Sequence, residues 1–512
     1  MTLEGTPQLA LPAPPHDTGN RIRIYYGMIV SKSLVRSVLV FLLLLLHPWQ
    51  HQAAAYSLLT HEQLIDLAWD RSIVPLLLSR YPNLTQADLD QARAYAYGGC
   101  VIQDIGYYPF GDPFFSDLTH YVRTGDFIVS LLRNATNANE MAFAVGALSH
   151  YIGDSVGHAL ATNRAVPVEF PDLAAKYGSS VNYAEGKHQH VRTEFAFDIS
   201  EIARHHMAPV HYLRHIGLQV PLKQLALAFY QTYGITEDFS QRRGRRFNVR
   251  GYRFATRYFI PRIAYAVTLL HRRHMVPAPS TPEGLELERE IATISQENNW
   301  DAYRRHAGIG TWMLAGVLFI IPKFGPLSLV AIKGPTEATD AEYVHSVAVS
   351  SAALRRMLAR FTPEAKRLAS LEGVSLEKQS SAPMAQAATK QMPGLESPSD
   401  DDKFRSTDPH HPLPDRDLDT GRVVQPGGYS LTDFTYANLL HRLTRQPTQP
   451  IPPVIKREIE AYYADPNLPI TTKKDPDKWK QVQADLAVLQ SMPTSTEPEP
   501  YPTYGDEAEN AQ

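Results

Sequence analysis

An all-α fold is predicted by three features of the 512-residue chain. His150, Asp154 and His158 recur every fourth residue above an apolar stripe of Met141, Phe143, Ala144, Ala147, Leu148 and Ile152. His190 and Glu194 repeat the same interval. Residues four apart on an α-helix lie about 40° from each other around the axis, so each set shares one helix face. The third feature is a series of helix-start signals, in which a short polar residue is followed three positions later by an acid or amide.

In chain order, Thr60 with Gln63 reads as a capping box that places His61 at the first helical position. Thr85 with Asp88 opens the next helix, Asn137 with Glu140 the one that carries His150, and Asn182 with Glu185 the one that carries His190. That capping role removes Glu185 as a ligand candidate, and His188 points away from the face of Glu194. Gly146, Gly153 and Gly157 each lower helix propensity by about 1 kcal/mol relative to Ala, but they let neighbouring backbones approach closely. Between Tyr97 and Gly125 lies a long connection rich in Gly, Pro and aromatic residues, which carries Asp104 and, near its end, His120. Long loops inside compact domains are usually functional.

Further helices are expected over 211–233, 252–274 and 338–361. The apolar run Thr311 to Ile321 is too short to span a bilayer, which needs about 20 residues. It is expected to be a buried helix, with a membrane-surface element as the second reading. Residues 375–428 lack an apolar period and are rich in Ser, Pro, Gln and Asp, so a disordered linker is expected, in which the His410-His411 pair is incidental. The chain then divides into an amino-terminal extension and signal (1–55), a catalytic domain (56–275), a helical accessory region (276–374), the linker, a short segment of two helices (429–491) and an acidic tail (492–512).

The composition is globular, 44% hydrophobic and 20% charged, and its net charge of −3 argues against a dedicated duplex-DNA binder, which carries a basic excess. Residues 31–55 read as a secretory signal: Lys32 and Arg36 precede the apolar run Val38 to Leu46, and Ala53-Ala54-Ala55 is a small-residue cleavage site. Met28 just before it is the expected start. Export to the periplasm or exterior would then expose Tyr56 as a new amino terminus. Cys100 is the only cysteine, so an exported form depends on its core and on metals rather than on an internal disulfide.

Nitrogen and carboxylate donors without thiolate suit zinc. The candidates are Tyr56, His61, Asp104, His120, His150, Asp154, His158, His190 and Glu194. A lone histidine on a helix face is ordinarily structural, and nine such positions exceed the needs of one ion; together they fit a cluster.

The order and spacing of this set resemble the zinc-dependent phospholipase C family, whose relatives include the fungal single-strand nucleases and the catalytic domain of glycosylphosphatidylinositol phospholipase D. The resemblance covers roughly Tyr56 to Ala208. It implies a multi-helix domain with three zinc ions at the bottom of a cleft. By that resemblance Tyr56, where the family usually has Trp, would join His61 and Asp154 on one zinc. Asp104, His120, His150 and the bridging Asp154 would hold the second, and His158, His190 and Glu194 the third. The eight-residue interval from His150 to His158 is similar to the phospholipase D branch and two residues shorter than in the bacterial phospholipases. The implied activity is phosphodiester hydrolysis by metal-bound hydroxide, with Asp104 orienting or deprotonating the water. The expected substrate is a phospholipid or membrane surface, with Tyr107, Tyr108 and Phe115 as substrate contacts. A single-strand nuclease and a non-catalytic zinc-stabilised binding protein are the alternatives.

Overall fold

Two glycine-bearing helices cross almost backbone to backbone at the heart of the protein. We label the helices used here α1 (Leu58–Ala68), α2 (Gln86–Gly99), α3 (Pro113–Tyr121), α4 (Thr124–Arg133), α5 (Ala138–Gly157) and α6 (Lys187–Ala203). They are followed by α7 (Ile260–His271), α8 (Ile309–Ile320), α9 (Glu337–Phe361), α10 (Ser430–Thr444), α11 (Pro453–Tyr462) and α12 (Pro476–Ser491). A Cβ built on Gly99 of α2 would lie 2.0 Å from the carbonyl oxygen of Phe143, and one on Gly146 of α5 would lie 2.2 Å from that of Ala96. Only hydrogen fits at either position. The computed structural model describes residues 57–108, 111–237, 239, 249–271, 276–320, 332–361, 404, 411–465, 467–469 and 475–495. The expected signal region, Tyr56, Phe110, residues 375–403 and the acidic tail from 496 onward lie outside them.

α5 is the central element. Asn137 caps it by accepting the Glu140 N–H at 3.0 Å, as the sequence predicts. From Met141 to Gly157 every residue is buried, so the predicted apolar stripe is part of a helix enclosed on all sides. α1, α2, α4 and α9 pack against it. α9 lies beyond residue 276, yet it shares this core: Tyr343 stacks on Phe197 of α6 with ring centres 4.6 Å apart. Hydrophobic residues from Leu58 to Met492 belong to one continuous cluster. Among the described residues no strand forms; only two isolated bridges occur, Arg416 with Val423 and Ile451 with Thr494. The fold is all-α.

The Thr85 and Asp88 capping box stands as predicted. The proposed Thr60 and Gln63 box does not form. α1 starts at Leu58 behind Ser57. The Thr60 hydroxyl instead donates to Asp198 at 2.7 Å, and the Gln63 amide reaches Glu201 at 3.2 Å. A buried carboxylate outcompetes the local cap because it gains two backbone N–H donors as well, from Leu59 and Thr60, both at 3.1 Å. Asn182 donates its N–H to the Glu185 carboxylate at 2.9 Å, but this closes a turn ahead of α6, which starts at Lys187.

The expected connection between Tyr97 and Gly125 is partly helical. Asp112 caps α3 and Pro113 occupies its first position, a combination that starts helices because proline lacks the amide the first turn cannot use. The run at 309–320 is a helix but not a buried one. Only Ala315 and Leu318 are buried, while Ile309, Trp312, Phe319 and Ile320 are exposed. Among the described residues no helix is long and apolar enough to cross a membrane.

Residues 411–424 fall in the stretch expected to be disordered, yet they form a defined strap docked on α3, α4 and α5. Leu418 N–H donates to His120 O at 3.0 Å, and the Thr124 hydroxyl donates to Arg416 O at 2.8 Å and accepts the Arg416 N–H at 2.9 Å. Tyr151 OH donates to Pro414 O at 2.6 Å. Polar composition predicted disorder, but here the surface under the strap supplies partners for its backbone. Among the described residues the segment after it holds three helices, α10 to α12, where two are expected.

Candidate metal centre

Eight of the nine predicted ligands are described, and all eight converge in the interior at 0–2% exposure. α1 contributes His61, a short 3-10 turn at Gln103–Gly106 contributes Asp104, and α3 contributes His120. α5 supplies His150 and Asp154. His158 opens a π-helical turn that continues α5, and α6 supplies His190 and Glu194. The turn that holds Asp104 is tied to α5 by the Gln103 amide on Ala147 O at 3.0 Å. It is tied to α3 by Gly106 N–H on the Ser116 hydroxyl at 2.8 Å.

Three imidazoles meet one carboxylate. His61 Nε2 lies 3.2 Å from Asp154 Oδ1, and His120 Nε2 and His150 Nε2 lie 3.4 and 3.1 Å from Oδ2. Asp104 Oδ1 is 3.3 Å from His120 Nε2 and 4.0 Å from His150 Nε2. In a separate group, His190 Nδ1 is 3.6 Å from Glu194 Oε1, and the rings of His158 and His190 stack at 5.6 Å. Donor atoms about 2.0–2.2 Å from a tetrahedral zinc stand roughly 3.4 Å apart, and the nitrogen-to-oxygen separations here run from 3.1 to 4.0 Å.

The outer partners fix which ring nitrogen faces inward. His120 Nδ1 bonds to Ser116 O at 2.8 Å, His150 Nδ1 to Cys100 O at 3.0 Å, and His190 Nε2 to Val181 O at 2.7 Å. A carbonyl accepts only from N–H, so in the neutral form of each ring the opposite nitrogen carries the lone pair and faces the carboxylates. That tautomer is the metal-ligating one. Asp104 Oδ1 and Oδ2, His190 Nδ1 and Glu194 Oε1 have no well-aligned hydrogen bond among the described residues. A dication between these groups would satisfy them.

Electrostatics lead to the same conclusion. Burial pushes the Glu194 carboxyl well above its usual range, and the charges of Asp154 and Asp104 push it further. Burial also lowers His158 far below the ordinary imidazole value, and brings His190 down to about 4 despite its bond to Val181. His61 is lowered by burial and by His150. Burial opposes charge on His120 as well, yet Asp104 and Asp154 push it up to about 10. Against burial, the charge of His150 and hydrogen bonds from His120, His150 and His61 hold Asp154 well below the carboxylate range. A dication among these groups would displace the protons that His120 and Glu194 otherwise hold, leaving neutral imidazoles and anionic carboxylates as its donors.

The predicted substrate contacts separate. Tyr107 packs on His120, ring centres 5.3 Å apart, and lines a cavity of ≈ 260 Å³ with Asp117, Tyr121, Tyr183, Lys187 and Phe434. Tyr108 stacks on Tyr252 at 6.4 Å. Phe115 is a core residue, wedged among Phe127, Phe229 and Phe239. His188 is exposed, in line with its exclusion as a ligand.

Two participants were not anticipated. Asp198 anchors the first turn of α1 and thereby His61. Its position four residues after Glu194 was a usable signal, since His190, Glu194 and Asp198 recur on one face. Asp419 comes from the strap, and nothing in its polar surroundings marks it.

The strap itself carries a pH-sensitive dock. Asp415 accepts N–H from Gly125 at 2.9 Å and Asp126 at 3.2 Å. His411 contacts Asp126 at 2.8 Å and Glu458 at 3.3 Å, and Arg123 pairs with Asp126 and Glu458, both at 2.7 Å. Asp126, His411 and Asp415 come within ligand reach of one another, but Arg123 already supplies the positive charge. Burial and the Asp126 charge push Asp415 up to about 7, and burial also raises Glu458, against Arg123 in both cases. Burial lowers His411, but its bond to Asp126 and the charges of Asp126, Glu458 and Asp415 together raise it. All three groups bind protons more tightly in the docked state. The stabilisation they lend is present at low pH and is lost as pH rises through about 7. Amide exchange at Leu418 and Val424, corrected for intrinsic rate, is therefore expected to be faster at pH 8.5 than at pH 6. Equal protection at both would refute this coupling.

A family model described as zinc dependent phospholipase C matches residues 60–238. No curated protein and no solved structure matches the chain.

Proposed function

We infer, from the membership of residues 60–238 in the zinc-dependent phospholipase C family, that the buried cluster hydrolyses the phosphodiester of a phospholipid. The observation that carries this reading is the convergence of His61, Asp104, His120, His150 and Asp154. It includes two imidazoles whose tautomers are set by backbone carbonyls. The His158, His190 and Glu194 group provides a further position, for three zinc ions per chain in this proposal.

When bound, zinc lowers the pKa of water toward about 7 and offsets charge on the oxygens of a phosphorus centre. The chain's own residues supply the rest. Asp154, shared between His61 and the His120 and His150 pair, sets the spacing of the first two positions. Asp104 has no well-aligned hydrogen bond on either oxygen, which leaves a carboxylate oxygen to orient the attacking water or take its proton. The cavity beside His120 fits a headgroup: its Tyr107, Tyr121, Tyr183 and Phe434 offer aromatic faces for a quaternary ammonium, and Lys187 offers a cation for phosphate.

The apolar face of α8 supports a lipid substrate. Ile309, Trp312, Phe319 and Ile320 are exposed, and Phe254 and Tyr258 are exposed as well. Such faces mark interaction with membranes or partners. Replacing Trp312 and Phe319 together with Ala is expected to weaken binding to phosphatidylcholine vesicles by about a hundredfold or more, at roughly 1.5–3 kcal/mol per lost aromatic. Hydrolysis of a soluble short-chain substrate should be unchanged. Undiminished vesicle binding would remove the membrane role of this helix. Export with cleavage near Ala55 is part of the proposal, checked by amino-terminal sequencing of the exported protein. Rates on a choline phospholipid and on single-stranded DNA decide the substrate class; faster cleavage of DNA would replace the phospholipase reading with a nuclease.

A further inference from the structure

The strap reaches the metal centre through one side chain. Asp419 is fully buried, and its Oδ1 lies 3.7 Å from His158 Nε2. Its other oxygen, Oδ2, accepts hydrogen bonds from Tyr121 OH at 2.9 Å and Tyr429 OH at 2.7 Å. Oδ1 has no hydrogen-bond partner among the described residues. Two phenols thus hold one oxygen while the other is aimed at the imidazole group.

The placement is over-determined. Asn163, from the helix that follows the π-turn of His158, donates its side-chain amide to Asp419 O at 2.8 Å. Leu418 N–H is fixed on His120 O, one residue away. Thr420 folds back on Asp417 through its backbone N–H at 2.8 Å and its hydroxyl at 2.6 Å. Gly421 then turns the chain at φ +68°, where any Cβ would lie 2.2 Å from Ser155 O. An unpaired oxygen 3.7 Å from an imidazole nitrogen is too distant for a hydrogen bond, but close to the roughly 3.4 Å between two donors on one tetrahedral ion. His190 Nδ1 and Glu194 Oε1, 3.6 Å apart, show the same separation.

We propose that Asp419 is a ligand of the metal held by His158, His190 and Glu194, so that a strap outside the family-matching region completes this site. The proposal rests on the zinc reading of the cluster. A zinc ion with four protein ligands has no open position. This ion therefore fastens the strap to the domain instead of meeting substrate, and substrate reaches it only when Asp419 leaves.

The test uses the full-length protein and its Asp419→Asn variant, each loaded with zinc, with metal content and loss to a chelator as readouts. The variant is expected to lose one ion per chain about 10–100-fold faster than the wild type while keeping the others. Amide protection at Leu418 should fall with that ion. A wild type that binds no zinc would defeat the metal reading as a whole. A zinc-loaded wild type matched by the variant in retention would overturn only the role of Asp419. Should the variant misfold, anomalous diffraction at the zinc edge on the wild type decides. Asp419 Oδ1 at about 2.0–2.2 Å from the ion supports the assignment, and a separation beyond about 3 Å overturns it.

Discussion

Asp154→Asn is expected to release the ions shared among His61, Asp104, His120 and His150, and to lower phosphodiester hydrolysis by at least about 100-fold. The reasoning is geometric and electrostatic. Asp154 faces three imidazole nitrogens with its two oxygens, 3.1–3.4 Å away, and is held anionic against complete burial. Asparagine keeps the shape but presents one neutral oxygen and an amide that repels cations. Zinc content and hydrolysis rate of the variant, compared at matched helical content, provide the check. A variant with full zinc and full rate would show that the carboxylate bridges nothing.

The second large effect is expected far from the charged groups. Gly146→Ala should destabilise the protein by about 3 kcal/mol, the upper part of the range for overpacking. The new methyl would sit 2.2 Å from Ala96 O, 2.9 Å from Cys100 N and 3.0 Å from the Cα of Gly99, all backbone atoms that cannot rotate away. Relief requires α2 and α5 to separate. That separation would also pull Cys100 O from His150 Nδ1, so zinc affinity should fall together with stability. Denaturant midpoints of the metal-free and metal-loaded forms measure both effects. An unchanged midpoint would mean that the crossing is looser than these distances state.

The legible parts of the protein were those governed by local periodicity. The four-residue recurrence of His150, Asp154 and His158 was visible because one helix enforces it, and the Asn137 cap marked where that helix starts. Asp104 and His120 were located by their resemblance to a known order, and the structure brings both to Asp154 by way of a short turn and a proline-started helix. The first turn of α1 was misread because Thr60 and Gln63 have local partners available but are claimed by Asp198 and Glu201, roughly 140 positions away. No local rule contains that competition. The exposed face of 309–320 was misread for a related reason: apolar content speaks for burial, and only packing shows which side lacks a cover. The strap was illegible for the opposite reason. Its sequence is polar and aperiodic, and its order comes from acceptors and donors on other elements, His120 O, Thr124, Tyr151 and Asn163 among them.

The carbonyls behind the histidine rings behave likewise. Ser116 O, Cys100 O and Val181 O decide the tautomers of three histidines, yet a backbone oxygen leaves no trace in side-chain identity. The sequence could nominate ligands, while the fold alone could show that their lone pairs face one another.

The most direct test is zinc content per chain, measured on the purified protein together with hydrolysis of a choline phospholipid before and after chelation. Near three zinc ions per chain, with activity lost on chelation and restored by added zinc, is the predicted result. One ion or none, or hydrolysis indifferent to chelation, would contradict the account and leave the buried histidines and carboxylates as structural residues only.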